Sequence, residues 1–349
     1  MLRRCMVLVT AALVVGGCSD ALEQGTTAGQ VVAVPDRRTT SVTLISASNL
    51  AVLRVVEFPS SPTGRPAGRD NTVLVPSGGE IWVFDLRERA DTIARAFPVE
   101  PRQGLIGGLA IQDDSIAWAT YDVSAATSLP PVYLVARMNY GTGDTASTVL
   151  SHYLPDAAAT NGRAFVVSVA PDDRSWLTVI SGSSRTIVDS VPLTGLGAFA
   201  ITLGDDGFLY VVSGGPLSVT GEPGRLSVVD PETRTELAVI NGLGNPIGRP
   251  VFHPSGRLLI PSLDGILEVN TLTRSVTRGP EAAVKPAGHS TTGLALDHGG
   301  RVYSLYDDCA DPNSTEGFVH ILSAPPDYRL LRTITVGPCP NGVAAATIP

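Results

Sequence analysis

The stretch "GRLSVVDPETRTELAVI", residues 224–240, carries two short apolar runs on either side of an Asp-Pro turn. Asp230 could serve as a reactive carboxylate, or the segment could be one copy of a repeated structural unit. The rest of the chain favours repetition. Related stretches are "TTSVTLISASNLAVLRVVEF" (39–58), "GEIWVFDLRERADTIARAF" (79–97), "RSWLTVISGSSRTIVDSVPL" (174–193), "GILEVNTLTRSVTRG" (265–279) and "GFVHILSAPPDYRLLRTITV" (317–336), with a more divergent copy at 131–154. Each has an alternating strand, a polar turn and a second strand, and no segment sustains a helical period.

The first strands of these pairs centre near Thr43, Val83, Leu134, Thr178, Val228, Glu268 and His320, spaced by 40, 51, 44, 50, 40 and 52 residues. Upstream of them lie further strand pairs with tight glycine turns, such as "AFAITLGDDGFLYVVSGG" (198–215) and "TTGLALDHGGRVYSLYDD" (291–308). Four strands per unit and a period of about 40–50 residues predict a β-propeller, and seven landmarks predict seven blades. Small residues recur in the first strands, at Gly108, Ala198, Gly293 and Ala344, where inner strands crowd an axis. The chain enters at a second strand (31–36) and ends on an orphan first strand (341–349), so pairing these two closes the ring without exposed edges. The unit at 60–97 is the weakest, because its first strand must lie within the Pro-rich "SSPTGRPAGRD" (60–70), and its completeness stays open.

The units resemble those of the YVTN-repeat β-propeller family. The resemblance rests on Asp206-Gly207-Phe208-Leu209-Tyr210-Val211-Val212 with Val228-Val229-Asp230-Pro231-Glu232-Thr233, and on Pro340-Asn341-Gly342-Val343-Ala344. It covers residues 31–349 and implies an all-β, seven-bladed architecture; propellers host enzymes, binders and scaffolds alike.

Residues 1–17 combine Arg3 and Arg4 with an apolar run too short for a confident membrane span, as a secretion signal does. Val15-Gly16-Gly17-Cys18 resembles the bacterial lipobox, which makes Cys18 the expected lipidation site and residues 18–30 a flexible tether. Ser19 after Cys18 favours the outer membrane, and the lipid anchor is the only membrane contact expected. Without residues 1–17 the formal charge moves from −8 to −10, which argues against nucleic acid. Cys309 and Cys339, the two cysteines of the folded part, are expected to form a disulfide in an exported protein. The repeat register puts both on one face, and closing about 30 residues stabilises by roughly 3 kcal/mol.

That face carries the long loops 121–131, 213–223 and 306–317, and long loops on a rigid scaffold are where binding residues collect. The candidate ligand residues are Arg102, Asp122, Arg249, His289, Asp307, Asp308 and Asn341, accompanied by Gln103, Glu222 and Asp311. His289 is expected to be the histidine facing the channel, while His253, His298 and His320 are expected to be structural. Asp307, Asp308 and Asp311 offer oxygens to Ca²⁺, but their spacing matches no calcium loop, and no cofactor is expected. No nucleophile elbow is present, since "SGSS" (181–184) lies in a strand–strand turn. The leading functional expectation is a monomeric, membrane-anchored, non-catalytic propeller that binds an envelope protein, a peptide or a small ligand at the channel mouth. The alternative is a lactonase-like hydrolase, for which Gln112, Asp113 and Asn341 are the available ligands near the axis. A quinone-dependent dehydrogenase is weaker still, because Trp82, Trp118 and Trp176 cannot supply repeated docking motifs.

Overall fold

Seven four-stranded antiparallel sheets follow one another around an axis in a computed structural model that describes residues 29–77, 80–86, 95–98, 105–123 and 132–348. The leader 1–17, Cys18, the tether to residue 28, Arg102, Gln103 and 124–131 lie outside the described residues. Six blades are continuous in sequence, at 67–98, 105–150, 157–193, 198–241, 251–278 and 293–336. The seventh joins Ala344–Ile348 to Gly29–Pro35, Ser41–Ser46 and Ala51–Glu57. Its closing register pairs Val31 with Ala346 and Ala33 with Ala344, the ring closure expected from the orphan strands. All seven landmark residues fall in the third strand of their blades.

The unit at 60–97 is a complete blade, with an inner strand of only three residues, Ala67–Arg69. Gly68 sits so close to the seventh blade that a Cβ there would lie 2.2 Å from the Ala345 carbonyl oxygen. Steric room, more than apolar content, selects the inner strands. This is why the stretch carries almost no hydrophobic signal.

Second strands are buried along their length, as in Thr72–Ser77, and read as continuous apolar runs because sheets pack on both faces. The outer strand Leu330–Val336 alternates between exposed and buried. Apolar cores lie between neighbouring sheets: one joins Leu74, Ile81 and Val83 of the first blade to Leu109, Tyr121 and Leu134 of the second. Another joins Tyr210 and Val228 of the fourth to Leu258 and Leu267 of the fifth.

The turn that opened the question is a repeated device. The Asp230 carboxylate accepts N–H bonds from Glu232 (2.8 Å) and Thr233 (3.2 Å). Asn270 accepts from Thr273 N–H (2.9 Å), and Ser181 Oγ accepts from Ser184 N–H (3.3 Å). Arg234, Arg274 and Arg185 then take left-handed backbone at φ 56°, 51° and 57° in the three turns. The Glu232 N–H donor is the first cause of a lowered Asp230 pKa, and the Thr233 N–H adds to it against the opposing effect of burial. Asp230 is a turn residue. No helix among the described residues is long and apolar enough to cross a membrane.

Candidate functional site at the channel mouth

In this topology, loops between second and third strands share a face with loops joining successive blades, and that face surrounds the mouth of the central channel. The Cys309–Cys339 disulfide forms there, with Cα atoms 4.9 Å apart. Cys339 N–H donates to buried Asp36 (2.7 Å), whose other oxygen accepts from Arg38 N–H and Thr39 N–H (both 2.8 Å). The Arg38 guanidinium donates to the carbonyls of Cys309 (2.9 Å), Asp311 (2.7 Å) and Ser314 (3.0 Å). Three carbonyl oxygens of this acidic loop are therefore already bound to a cation. Among the described residues no three His, Cys, Asp or Glu side chains come together as metal ligands.

Two cavities open on this face. The channel itself, 810 Å³, is lined by inner strands of all seven blades and by Arg249, Asp307 and Asn341. A second, 780 Å³, lies over the second and third blades beside Asp122, Tyr133 and Tyr153. The two tyrosine rings meet edge to face at 5.9 Å. Four residues line both cavities: Arg37, Arg65, Leu217 and Asn341. They mark the neck between the two.

Of the expected ligand residues, the structure brings Arg249, Asp307 and Asn341 to the channel and Asp122 to the adjoining cavity. Asp308 lines neither cavity. Glu222 pairs with Arg225 at 2.9 Å. His289 is off the channel: its ring stacks on Tyr306 at 4.1 Å and its Nδ1 lies 3.1 Å from His320 Nε2, between the fifth and sixth blades. Apolar surface offered by Tyr306 and Phe318 outcompetes the open channel for the imidazole. His320, buried, is pushed down to a pKa of about 4 by that burial and then by His289. His253 is buried and bonds to Ser255 Oγ (2.7 Å) and the Gly300 carbonyl (3.1 Å), a turn role like that of exposed His298. Gln112 and Asp113 sit at the opposite end of the channel. There Gln112 accepts from Trp118 Nε1 (3.0 Å) and Asp113 accepts from the Ser115 (3.0 Å) and Ile116 (2.8 Å) N–H groups.

Arg249 is not a free ligand. It forms a two-pronged ion pair with Asp156, whose side chain is 1% exposed: Nε donates to Oδ2 at 2.9 Å and Nη2 to Oδ1. Nη1 donates to the Leu109 carbonyl at 3.0 Å. Asp156 also accepts from Ala157 N–H (2.9 Å) and, across a blade boundary, from Ile201 N–H (3.1 Å). One buried pair thus ties the second, third, fourth and fifth blades together through the channel. Burial opposes the Arg249 cation, but the Asp156 carboxylate outweighs it and leaves the guanidinium pKa raised.

Arg65, Arg37 and Asp156 were not among the sequence candidates, although one signal was there. Pro62-Thr63-Gly64-Arg65-Pro66 and Pro246-Ile247-Gly248-Arg249-Pro250 are the same five-residue pattern, Pro-x-Gly-Arg-Pro, leading into the inner strands of the first and fifth blades. The two segments make matching bonds: Thr63 N–H donates to the Pro76 carbonyl (2.9 Å) and Ile247 N–H to the Pro261 carbonyl (3.0 Å).

A domain of this form belongs to the class of seven-bladed β-propellers. No family model and no curated protein sequence matches the chain. Solved structures do match in fold. AztD of Citrobacter koseri superposes with a TM-score of 0.58 at 12% identity, over 92% of this chain and 98% of that one. A protein of unknown function from Bacteroides caccae gives 0.53 at 10% identity, over 91% and 98%. The dihydro-heme d1 dehydrogenase NirN, in complex with DHE, gives 0.56 at 14% identity, over 90% and 74%. At these identities the likeness is one of fold.

Proposed function

We propose that the chain is a membrane-anchored, non-catalytic β-propeller lipoprotein of the YVTN-repeat type, which binds its ligand at the channel mouth. The observation that carries the binding reading is the neck: two arginines, an asparagine amide and an apolar residue shared by two cavities on the long-loop face. The lipobox-like Val15–Cys18 segment supports an anchor at Cys18 and a place in the bacterial outer membrane. The disulfide fits an oxidising compartment. The YVTN assignment rests on the quoted motifs alone. A lactonase-like hydrolase has less support, because Gln112 and Asp113 are held in a turn and the Asp156 carboxylate is engaged by Arg249 and two backbone N–H groups.

The test is a thermal-shift screen of small ligands and sugar lactones, paired with an assay for lactone hydrolysis. Saturable stabilisation without turnover, lost on Leu217→Glu and retained on Arg234→Met in the fourth blade's outer turn, is the expected result. Turnover, or stabilisation indifferent to Leu217→Glu, would overturn the reading.

A further inference from the structure

The repeated Pro-x-Gly-Arg-Pro segment places two arginines in equivalent positions, yet they end in different electrostatic states. Arg249 has its carboxylate in Asp156, the residue just before the inner strand two blades upstream. The residue just before the inner strand two blades upstream of Arg65, counted around the ring, is Thr292, which donates its hydroxyl to the Leu305 carbonyl (3.2 Å). Arg65 is left with a single weak bond, Nη2 to the Ile247 carbonyl at 3.3 Å. Burial lowers its pKa; Asp156 partly offsets this, and Arg249 adds to the lowering. A guanidinium presents five donors, and most of those on half-buried Arg65 find no acceptor among the described residues.

Two further donors converge on the same neck without partners among the described residues. Asn341 Nδ2 is buried and bonds to nothing. The Arg37 side chain, which lines both cavities, makes no hydrogen bond or ion pair; its backbone N–H alone is engaged, with the Cys339 carbonyl. Asp156 is already bound twice by Arg249 and by two N–H groups; of the carboxylates that line the two cavities, Asp307 accepts from the Cys309 N–H (3.4 Å) and Asp122 has a partner of its own. A cluster of donors without acceptors is an unusual arrangement in a chain with a net charge of −8. Arg37 is exposed at the rim and Arg65 half-buried, while Asn341 Nδ2 is buried, and because buried polar groups are normally paired it is the exception that calls for a cause.

We infer that Arg65, Arg37 and Asn341 form a receptor for an oxyanion, a carboxylate or phosphate group carried by a small ligand that enters the channel mouth and supplies Arg65 with the partner Arg249 already has. The inference rests on the channel-mouth reading and narrows it to an anionic ligand class. A guanidinium matches planar carboxylate and tetrahedral phosphate oxygens in two-pronged fashion, and Asn341 adds a neutral donor beside it.

The experiment is calorimetric titration of the purified protein with inorganic phosphate and with citrate, in sodium chloride of matched ionic strength, with glucose as the uncharged probe. Saturable binding of at least one anion is expected, and not of glucose. Arg65→Met, Arg37→Met and Asn341→Asp should each weaken it at least tenfold, since bonds to charged groups carry that much. Asn341→Asp is isosteric and leaves the fold in place, and Arg65→Lys should retain part of the binding. Arg234→Met should change nothing. Anion binding that survives all three neck substitutions would overturn the inference and the mouth reading with it. An uncharged ligand that binds and is lost on Leu217→Glu, with no anion binding at all, would overturn the anion assignment and leave the mouth reading standing.

Discussion

Replacing Asp156 by Asn removes one negative charge and almost no volume from the point where four blades meet. The carboxylate receives two guanidinium donors and the N–H groups of Ala157 and Ile201. An asparagine has one oxygen for these donors, and its amide N–H₂ turns a donor toward another donor. Arg249 is left as a half-buried cation without its carboxylate. Breaking a buried ion pair from one side costs about 3–5 kcal/mol. With an unfolding entropy of about 2.1 cal/mol/K per residue over about 320 residues, each kcal/mol corresponds to about 1.5 °C. Asp156→Asn should therefore lower the Tm by about 5–7 °C at pH 7, measured by calorimetry or circular dichroism. Arg249→Met should act similarly by stranding the carboxylate. The double variant should fall well short of the sum, with a coupling of about 2 kcal/mol or more. A Tm within about 1 °C of wild type for Asp156→Asn, or strict additivity in the double variant, would refute the view that this pair pins the channel.

Other outcomes follow from the same structure. Replacing Cys309 and Cys339 by Ala frees a loop with a sequence separation of 30 and should destabilise by about 3.5 kcal/mol in the chain-entropy model, a Tm drop of about 5 °C that a reductant reproduces in the wild type. His320 stays neutral in the folded state down to a pKa of about 4, whereas the unfolded chain takes up the proton near 6.5. Its contribution is thus present above pH 6.5 and is lost as the pH falls toward 4. Urea denaturation should show a loss of about 2.5 kcal/mol between pH 7 and 4.5 that His320→Gln removes; equal pH profiles for the two proteins would contradict it. A Cβ on Gly108 would lie 2.3 Å from Asp156 Oδ1, so Gly108→Ala should cost about 2–3 kcal/mol by chemical denaturation, as a strained insertion into a packed interior does. Gly162→Asn, at a left-handed turn with open space around it, should cost under about 1 kcal/mol.

The architecture was legible because it repeats. Period, strand alternation and turn residues recur with local chemistry such as the Asp230, Asn270 and Ser181 turns, and two orphan strands suffice to announce closure. The disulfide could be read as well, since the register that assigns strands also assigns faces. The inner strand Ala67–Arg69 lies within the expected 60–70 but could not be delimited there, because its position is chosen by close approach to Ala345 and three residues carry no period. His289 was misplaced because its stacking partners, Tyr306 and Phe318, belong to a neighbouring blade. Asp156, within "LPDAAA", resembles a turn residue until the fold brings Arg249 to it from 93 positions away. Arg65 was obscured by its Pro-rich surroundings, although its twin segment at 246–250 was visible in the sequence.

The most direct test of the channel-mouth site is a crystal of the protein soaked in selenate, with diffraction recorded at the selenium edge. An anomalous peak is expected within hydrogen-bonding reach of Arg65, Arg37 and Asn341, and it should vanish in Arg65→Met. Selenate bound only outside the neck, or a neck peak that survives Arg65→Met unchanged, would contradict the account.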